Sequence, residues 1–209
     1  MLEGACRLRQ LVLRGKEMGM KAVAVTDHGN VCAAVECYNE CKREGIKPII
    51  GCEVYVAPRT RFDRQGRQDS QYHLILLCKN EKGYKNLCKL VSLSYTEGFY
   101  SKPRVDYELL SRYCEGLVCL SGCLAGEVSR RLSEGDYQSA KDTVLRYKAI
   151  FGEDYYIEVQ NHKFSDETDI LPYLYKLAGE TGVRLVATND AHYISAGDAP
   201  AQKILMCIS

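Results

Sequence analysis

The 209-residue sequence has no tryptophan, only 5 prolines and 4 histidines, and almost no net charge, since 28 Lys and Arg stand against 27 Asp and Glu. Near-neutrality excludes a protein whose main affinity is for a phosphate backbone, because such affinity needs many cations neutralising phosphates together. A local basic loop is still allowed. No apolar stretch approaches the ~20 residues that cross a bilayer, and the N-terminal MLEGACRLRQ lacks the apolar centre of a secretory signal. The expectation is a soluble cytoplasmic protein with no membrane partner. Internal repeats, low-complexity tracts and Gly, Pro or Ser linkers are missing too, so one domain over 1–209 is expected. Apolar residues, at 46%, are plentiful enough for a sizeable core. So are cysteines: there are 11, an odd number, and several lie inside apolar or helical runs such as LILLCK, LVCLSG and AVECYNECK. They read as buried thiols of a reducing compartment rather than a disulfide framework.

Short β-branched runs alternate with longer amphipathic ones, the pattern of βα units on a mostly parallel sheet and hence of an α/β fold. Strands are expected at 21–26, 48–56, 73–78, 116–121, 155–159 and 183–188, and helices at 5–18, 31–44, 82–96, 127–133, 137–151 and 166–180. Glycines follow several helical runs as stop residues, and Asp136 is placed to cap the helix beginning at Tyr137. The stretch 57–71, with four arginines, reads as a long exposed loop, and 100–105 as a proline-interrupted connector. The series opens on a helix. Parallel barrels open on a strand, so a first strand is expected ahead of Met1.

The chemistry gathers at strand ends. Asp27 and His28 follow the first strand, and Asp190 and His192 follow the last, two apart, so that in extended chain both side chains point to one side. Glu53 lies within the apolar IIGCEVYV, where an unpaired carboxylate costs several kcal/mol, so it needs a cation: a metal ion or a buried arginine. His73 opens a strand, and Cys123 follows one in a Ser-Gly-Cys turn. Imidazole, carboxylate and thiolate together suit zinc, iron or manganese, and bridged ions activate a water for attack on phosphoryl groups. Singly, His28 reads equally as a hydrogen-bonded loop residue and Cys123 as a buried thiol. His162, also after a strand, has no adjacent carboxylate and reads as a polar neighbour of the site. Arg59, Arg61, Arg64 and Arg67 are candidate contacts for a phosphodiester strand, with a solvated loop offset by Asp63 and Asp69 as the alternative.

The stretches GMKAVAVTDHGN, GIKPIIGCEVYVAP, LVCLSGCLAGEV and VATNDAHYI, in this order, together with YHLILLCKNEKGYKNLCKLVSLSYTEGFYSKPRVDYELL, resemble the PHP (polymerase and histidinol phosphatase) domain. The longest stretch resembles the branch found at the N-terminus of bacterial DNA polymerase III alpha subunits. The resemblance implies a distorted parallel (β/α)7-type barrel, here lacking its first strand, with metal ions at one mouth. By position, Glu53, His73 and Cys123 match the ligands of one ion, His28 and His192 two ligands of a second, and Asp190 a ligand of a third that shares Glu53. The second ion's remaining position, usually the Asp of an Asp-Gly pair, reads Glu3-Gly4. Glu53 and Asp190 are the implied catalytic carboxylates, and Asp27 the residue orienting an imidazole. The family's His-x-His motif is not in the chain, so its metal centre is expected to be incomplete and inactive. The implied parent is a DNA-directed DNA polymerase of DNA replication, using magnesium in a later domain, with DNA and other holoenzyme subunits as partners and a 3′–5′ exonuclease capability at the PHP site. The alternatives are a structural domain that supports the polymerase core and binds a proofreading subunit, and a free-standing histidinol-phosphatase-like phosphoesterase.

Overall fold

The computed structural model describes residues 4–65 and 71–208, in which the alternating pattern resolves into strands β1 (Ala22–Val25), β2 (Lys47–Val56), β3 (Tyr72–Cys78), β4 (Arg104–Val105), β5 (Leu117–Leu120), β6 (Tyr155–Val159) and β7 (Arg184–Ala187). The helices are α1 (Leu8–Glu17), α2 (Ala34–Glu44), α3 (Glu81–Thr96), α4 (Tyr107–Tyr113), α5 (Glu127–Ser133), α6 (Tyr137–Phe151), α7 (Ser165–Thr181) and α8 (Ala199–Met206). Side-chain caps set several starts: Asn80 accepts the Gly83 N–H at 3.0 Å and Asp136 the Ser139 N–H at 3.0 Å. Gly45 and Gly182 end α2 and α7 in the left-handed conformation. Among the elements that pattern reading passes over, β4 and α4 are too short to display a period. Asp106 starts α4 by accepting the Leu109 N–H at 3.1 Å, and the helix buries Leu109 and Leu110.

The chain forms two compact units, Met1–Val25 with Cys32–Ile50 and Asp190–Ser209, and Thr26–Val31 with Gly51–Asn189. In the first, β1 pairs in parallel with the leading half of β2, from Ala22 against Lys47 to Val25 against Ile50. The facing sides of α1 and α2 bury Val12, Val23, Cys37, Cys41 and Ile46. Cys37 and Cys41, one helical turn apart with sulfurs 4.0 Å from each other, pack as small apolar groups. The Ala5 N–H ties in the C-terminal segment by donating to the His192 carbonyl at 2.8 Å and to Gln202 Oε1 at 2.9 Å.

In the second unit, the trailing half of β2 pairs with β4 in parallel and with β3 antiparallel; β3 pairs antiparallel with β5, and β5, β6 and β7 run parallel. The α/β architecture is as expected, but the sheet is mixed where a mostly parallel one was anticipated. The reason lies in the β2–β3 connection. A parallel return requires a crossover, usually helical, and among the described residues no helix separates Val56 from Tyr72. Alternation along the strands sorts the two faces. Cys52, Val54, Val56, Leu74 and Leu76 point to a core completed by α3 to α7. One residue out of phase, Glu53, Tyr55, His73 and Ile75 point to the other side.

Candidate metal centre

Glu53 is the hub of that second face and is only 3% exposed. The segment after β1 is laid along β2 by two main-chain hydrogen bonds: the Glu53 N–H donates to the Asp27 carbonyl at 3.1 Å, and the Gly29 N–H donates to the Glu53 carbonyl at 2.8 Å. This brings His28 beside Glu53 as a parallel bridge. Gly29 holds φ +66°, and a Cβ there would lie 2.8 Å from the Pro103 ring, so the close approach needs glycine. His73 arrives from β3, opposite Tyr55, and its N–H donates to the Ala125 carbonyl at 3.1 Å. The Ser-Gly-Cys turn after β5 packs against it. Gly122, at φ +85°, would place a Cβ 2.6 Å from the His73 carbonyl oxygen, so only glycine lets the turn come this near.

The donor atoms converge. One carboxylate oxygen of Glu53 lies 2.5 Å from His73 Nδ1 and the other 3.7 Å from His28 Nδ1. Glu53, His28 and His73 each offer a ligand atom, all within 4.8 Å of one another. Cys123 Sγ is 3.9 Å from His73 Nδ1. Tyr55, 2% exposed, walls the group: its ring meets His73 edge-on with centroids 5.2 Å apart and stacks with His28 at 6.0 Å. Among the described residues the side chains paired with Glu53 are two imidazoles and no arginine. Two nitrogen donors, a dry carboxylate and a nearby sulfur form a set that fits a divalent ion of borderline softness. Neighbouring thiols differ in kind: burial pushes the Cys52 thiol up to about 12 and raises that of Cys119, so both stay neutral packing groups.

Asp27, expected to orient an imidazole, meets Glu53 through its carbonyl. Asp190 and His192 belong to the first unit. The chain there is not extended, as the same-side argument supposed: Asp190 takes φ 45°, a left-handed turn that aspartate tolerates, and His192 Nδ1 meets the Asp190 carbonyl at 2.8 Å. His162 has both ring nitrogens engaged, Nδ1 with Glu167 at 2.7 Å and Nε2 with the Asn189 carbonyl at 2.7 Å, which suits a polar neighbour. Glu3 and Arg67 lie outside the described residues.

The arginine loop corrects an expectation. Arg61 is no exposed strand guide; it is 6% exposed and grips Asp106 through both carboxylate oxygens at 3.0 Å, Glu108 at 2.9 Å and Glu97 at 2.7 Å. Burial works against its charge, but the hydrogen bonds to Glu108 and Glu97 and the charge of Asp106 prevail and hold the guanidinium above its ordinary value. Exposed Arg59 pairs with Asp63, and Arg64 donates to the Phe99 carbonyl. Residues missed in the sequence include Tyr55, two positions beyond Glu53 and so on its face, and Glu158. The buried Glu158 carboxylate accepts the Gly122 N–H at 3.1 Å and the Gln160 amide at 3.0 Å, steadying the turn before Cys123. Period-2 spacing from Glu53 points to Tyr55; no local signal points to Glu158.

The PHP domain family matches residues 1–162. Over its full length the chain is 50% identical to the DNA polymerase III alpha subunit of Treponema pallidum and 44% identical to that of Borreliella burgdorferi, and it spans 18% of each of these curated relatives. A solved structure assigned as a metal-dependent phosphoesterase, from Bifidobacterium adolescentis, aligns with a TM-score of 0.56 at 12% identity, covering 92% of this chain and 85% of that one. At such identity the likeness is one of fold.

Proposed function

The chain belongs to the PHP domain family, and from that premise we propose that it serves a bacterial replicative DNA polymerase III alpha subunit as a metal-dependent phosphoesterase domain centred on His28, Glu53 and His73. The observation that carries this reading is the buried Glu53 carboxylate, with one oxygen toward each imidazole. Cys123 is proposed as a further ligand beside His73, and Asp190 and His192 as metal ligands by their match to family positions. The donors suit zinc, manganese or iron. A bound cation supplies an activated water and neutralises charge developing on a phosphoryl oxygen. The chain's own part is positional. Glu53 aligns both rings, the Asp27 and Gly29 main chain fixes His28 on β2, and Tyr55 keeps water from one side of the group.

The proposed reaction is hydrolysis of a DNA 3′-terminal phosphodiester, serving a polymerase whose magnesium site lies elsewhere in the protein and whose partners are DNA and the other holoenzyme subunits in the bacterial cytoplasm. In the full-length protein, Glu53→Gln and His73→Ala are expected to lower bound zinc or manganese and to reduce 3′ excision by about 100-fold, leaving primer extension unchanged. Metal content and excision on a mismatched primer measure this. Excision at the unaltered rate in both variants makes the domain a scaffold and overturns the reading.

A further inference from the structure

The turn that carries Cys123 is anchored at both ends. On one side main chain ties it to β3: the His73 N–H donates to the Ala125 carbonyl at 3.1 Å, and the Gly126 N–H closes the turn on the Cys123 carbonyl at 2.9 Å. On the other side a buried side chain ties it to β6. Gly122 donates its N–H to Glu158 Oε2 at 3.1 Å, and the Glu158 N–H donates in return to Ser121 Oγ at 2.9 Å. Glu158 is 5% and Ser121 1% exposed, so this exchange takes place away from water. The second carboxylate oxygen, Oε1, accepts the Gln160 amide at 3.0 Å and the Thr188 hydroxyl. Donors thus face both oxygens, and a carboxylate accepts at two positions without presenting a hydrogen to either. The consequence falls on the next residue. Gly122, at φ +85° and close against the His73 carbonyl, leads directly into Cys123, whose Sγ lies 3.9 Å from His73 Nδ1, and Gly122, Cys123 and Glu158 line one small cavity.

We propose that Glu158 is a positioning residue that holds Cys123 within reach of a metal ion beside His73, and that it thereby sets the centre's preference for a thiophilic ion such as zinc over manganese. This rests on the reading of Cys123 as a ligand and adds to it the residue that places the sulfur. Thiolate donors favour zinc and cobalt, whereas manganese is suited by carboxylate, carbonyl and water, so a turn that withdraws its sulfur changes the ranking of ions and not only their affinity. Glu158 acts through the Gly122 main chain. Groups that orient a ligand in this way commonly govern metal affinity by about 10–100-fold.

The test uses the full-length protein loaded with cobalt, whose bond to a thiolate gives a charge-transfer band in the near ultraviolet; zinc and manganese affinities are titrated separately. The unaltered protein is expected to show the band and Cys123→Ser to lose it. Glu158→Ala, and Glu158→Asp, whose carboxylate is one methylene short of Gly122, are expected to lose most of the band while cobalt stays bound, with zinc affinity down about tenfold and manganese affinity by less. Glu158→Gln should restore most of the band, because its one oxygen can face the Gly122 N–H while the Gln160 amide and the Thr188 hydroxyl turn to accept. Should the alanine variant fail to fold, the aspartate variant decides. A full band in the aspartate variant, or equal losses of zinc and manganese affinity, overturns the assignment of Glu158 and leaves the phosphoesterase reading standing. Cobalt bound without the band in the unaltered protein removes Cys123 as a ligand and overturns the proposal alone. A protein that takes up no metal overturns the phosphoesterase reading as well.

Discussion

At the scale of single residues, the neighbours of a buried ionisable group decide whether it is placed for chemistry or only packs. Glu53 and Cys123 lie on or beside the face that carries His28 and His73, and their neighbours are donors. On the opposite face, Tyr147, Tyr155 and Cys119 are pushed up by burial, and Cys78, at the strand end, is raised by burial to about 11. Tyr107 also rises, through burial and the charge of Glu127, whose carboxylate accepts its hydroxyl at 2.5 Å. The sign of the consequence is fixed. Each of these groups keeps its proton in the folded protein after the unfolded chain has lost it, so folding stability is complete below pH 9 and falls as pH rises from there through 11 and beyond. The urea midpoint is expected to hold steady from pH 7 to 8.5 and to drop clearly by pH 10.5. The candidate donors were readable from sequence, because histidines and a cysteine at strand ends and a glutamate inside an apolar run stand out. Glu158 was not, since nothing in YYIEV announces that its carboxylate meets a turn 36 positions earlier in the chain.

At the scale of elements, the connection from β2 to β3 shows how a segment that reads as loose surface acquires a fixed role. Its arginine content suggested strand guidance, yet Arg61 turns inward against Asp106, the residue that caps α4. The side chains of this pair are 7% and 4% exposed, so removing the cation strands a buried carboxylate. Arg61→Ala is expected to cost about 3–5 kcal/mol, whereas Arg59→Ala, at a largely exposed ion pair, should change stability by no more than about 1 kcal/mol. Chemical denaturation of the two variants separates these outcomes; equal effects would mean that the clamp does not hold the segment. Strand and helix positions were largely legible because hydrophobic period is a local property. The direction of β3 was not, being set by antiparallel pairing with β2 and with β5, far along the chain.

At the scale of the whole molecule, the two compact units differ in what each buries. The first relies on Val12, Val23, Cys37, Cys41 and Ile46, while the second draws on β2 to β6 and α3 to α7. Opening free energy follows buried apolar contact. Amides of α1 and α2 are therefore expected to exchange with deuterium through openings of lower free energy than those of β3 and α3, which native-state exchange in graded denaturant measures; equal protection would refute it. Among the described residues no helix is long and apolar enough to cross a membrane, in line with the composition. By itself the sequence determined the α/β alternation, the near-neutral charge, the kinds of donor present and the family. Those are properties of residue type and local period, and they survive without knowing what touches what. Only the tertiary structure decided that Cys123 reaches His73 across 50 positions, that Glu53 is shared by two imidazoles, that Arg61 is a clamp and that Glu158 meets the turn before Cys123. The physical reason is strand register. Pairing between distant segments selects which face each strand side chain joins, and a one-residue slip of β2 or β3 would send Glu53, Tyr55 or His73 to the other side.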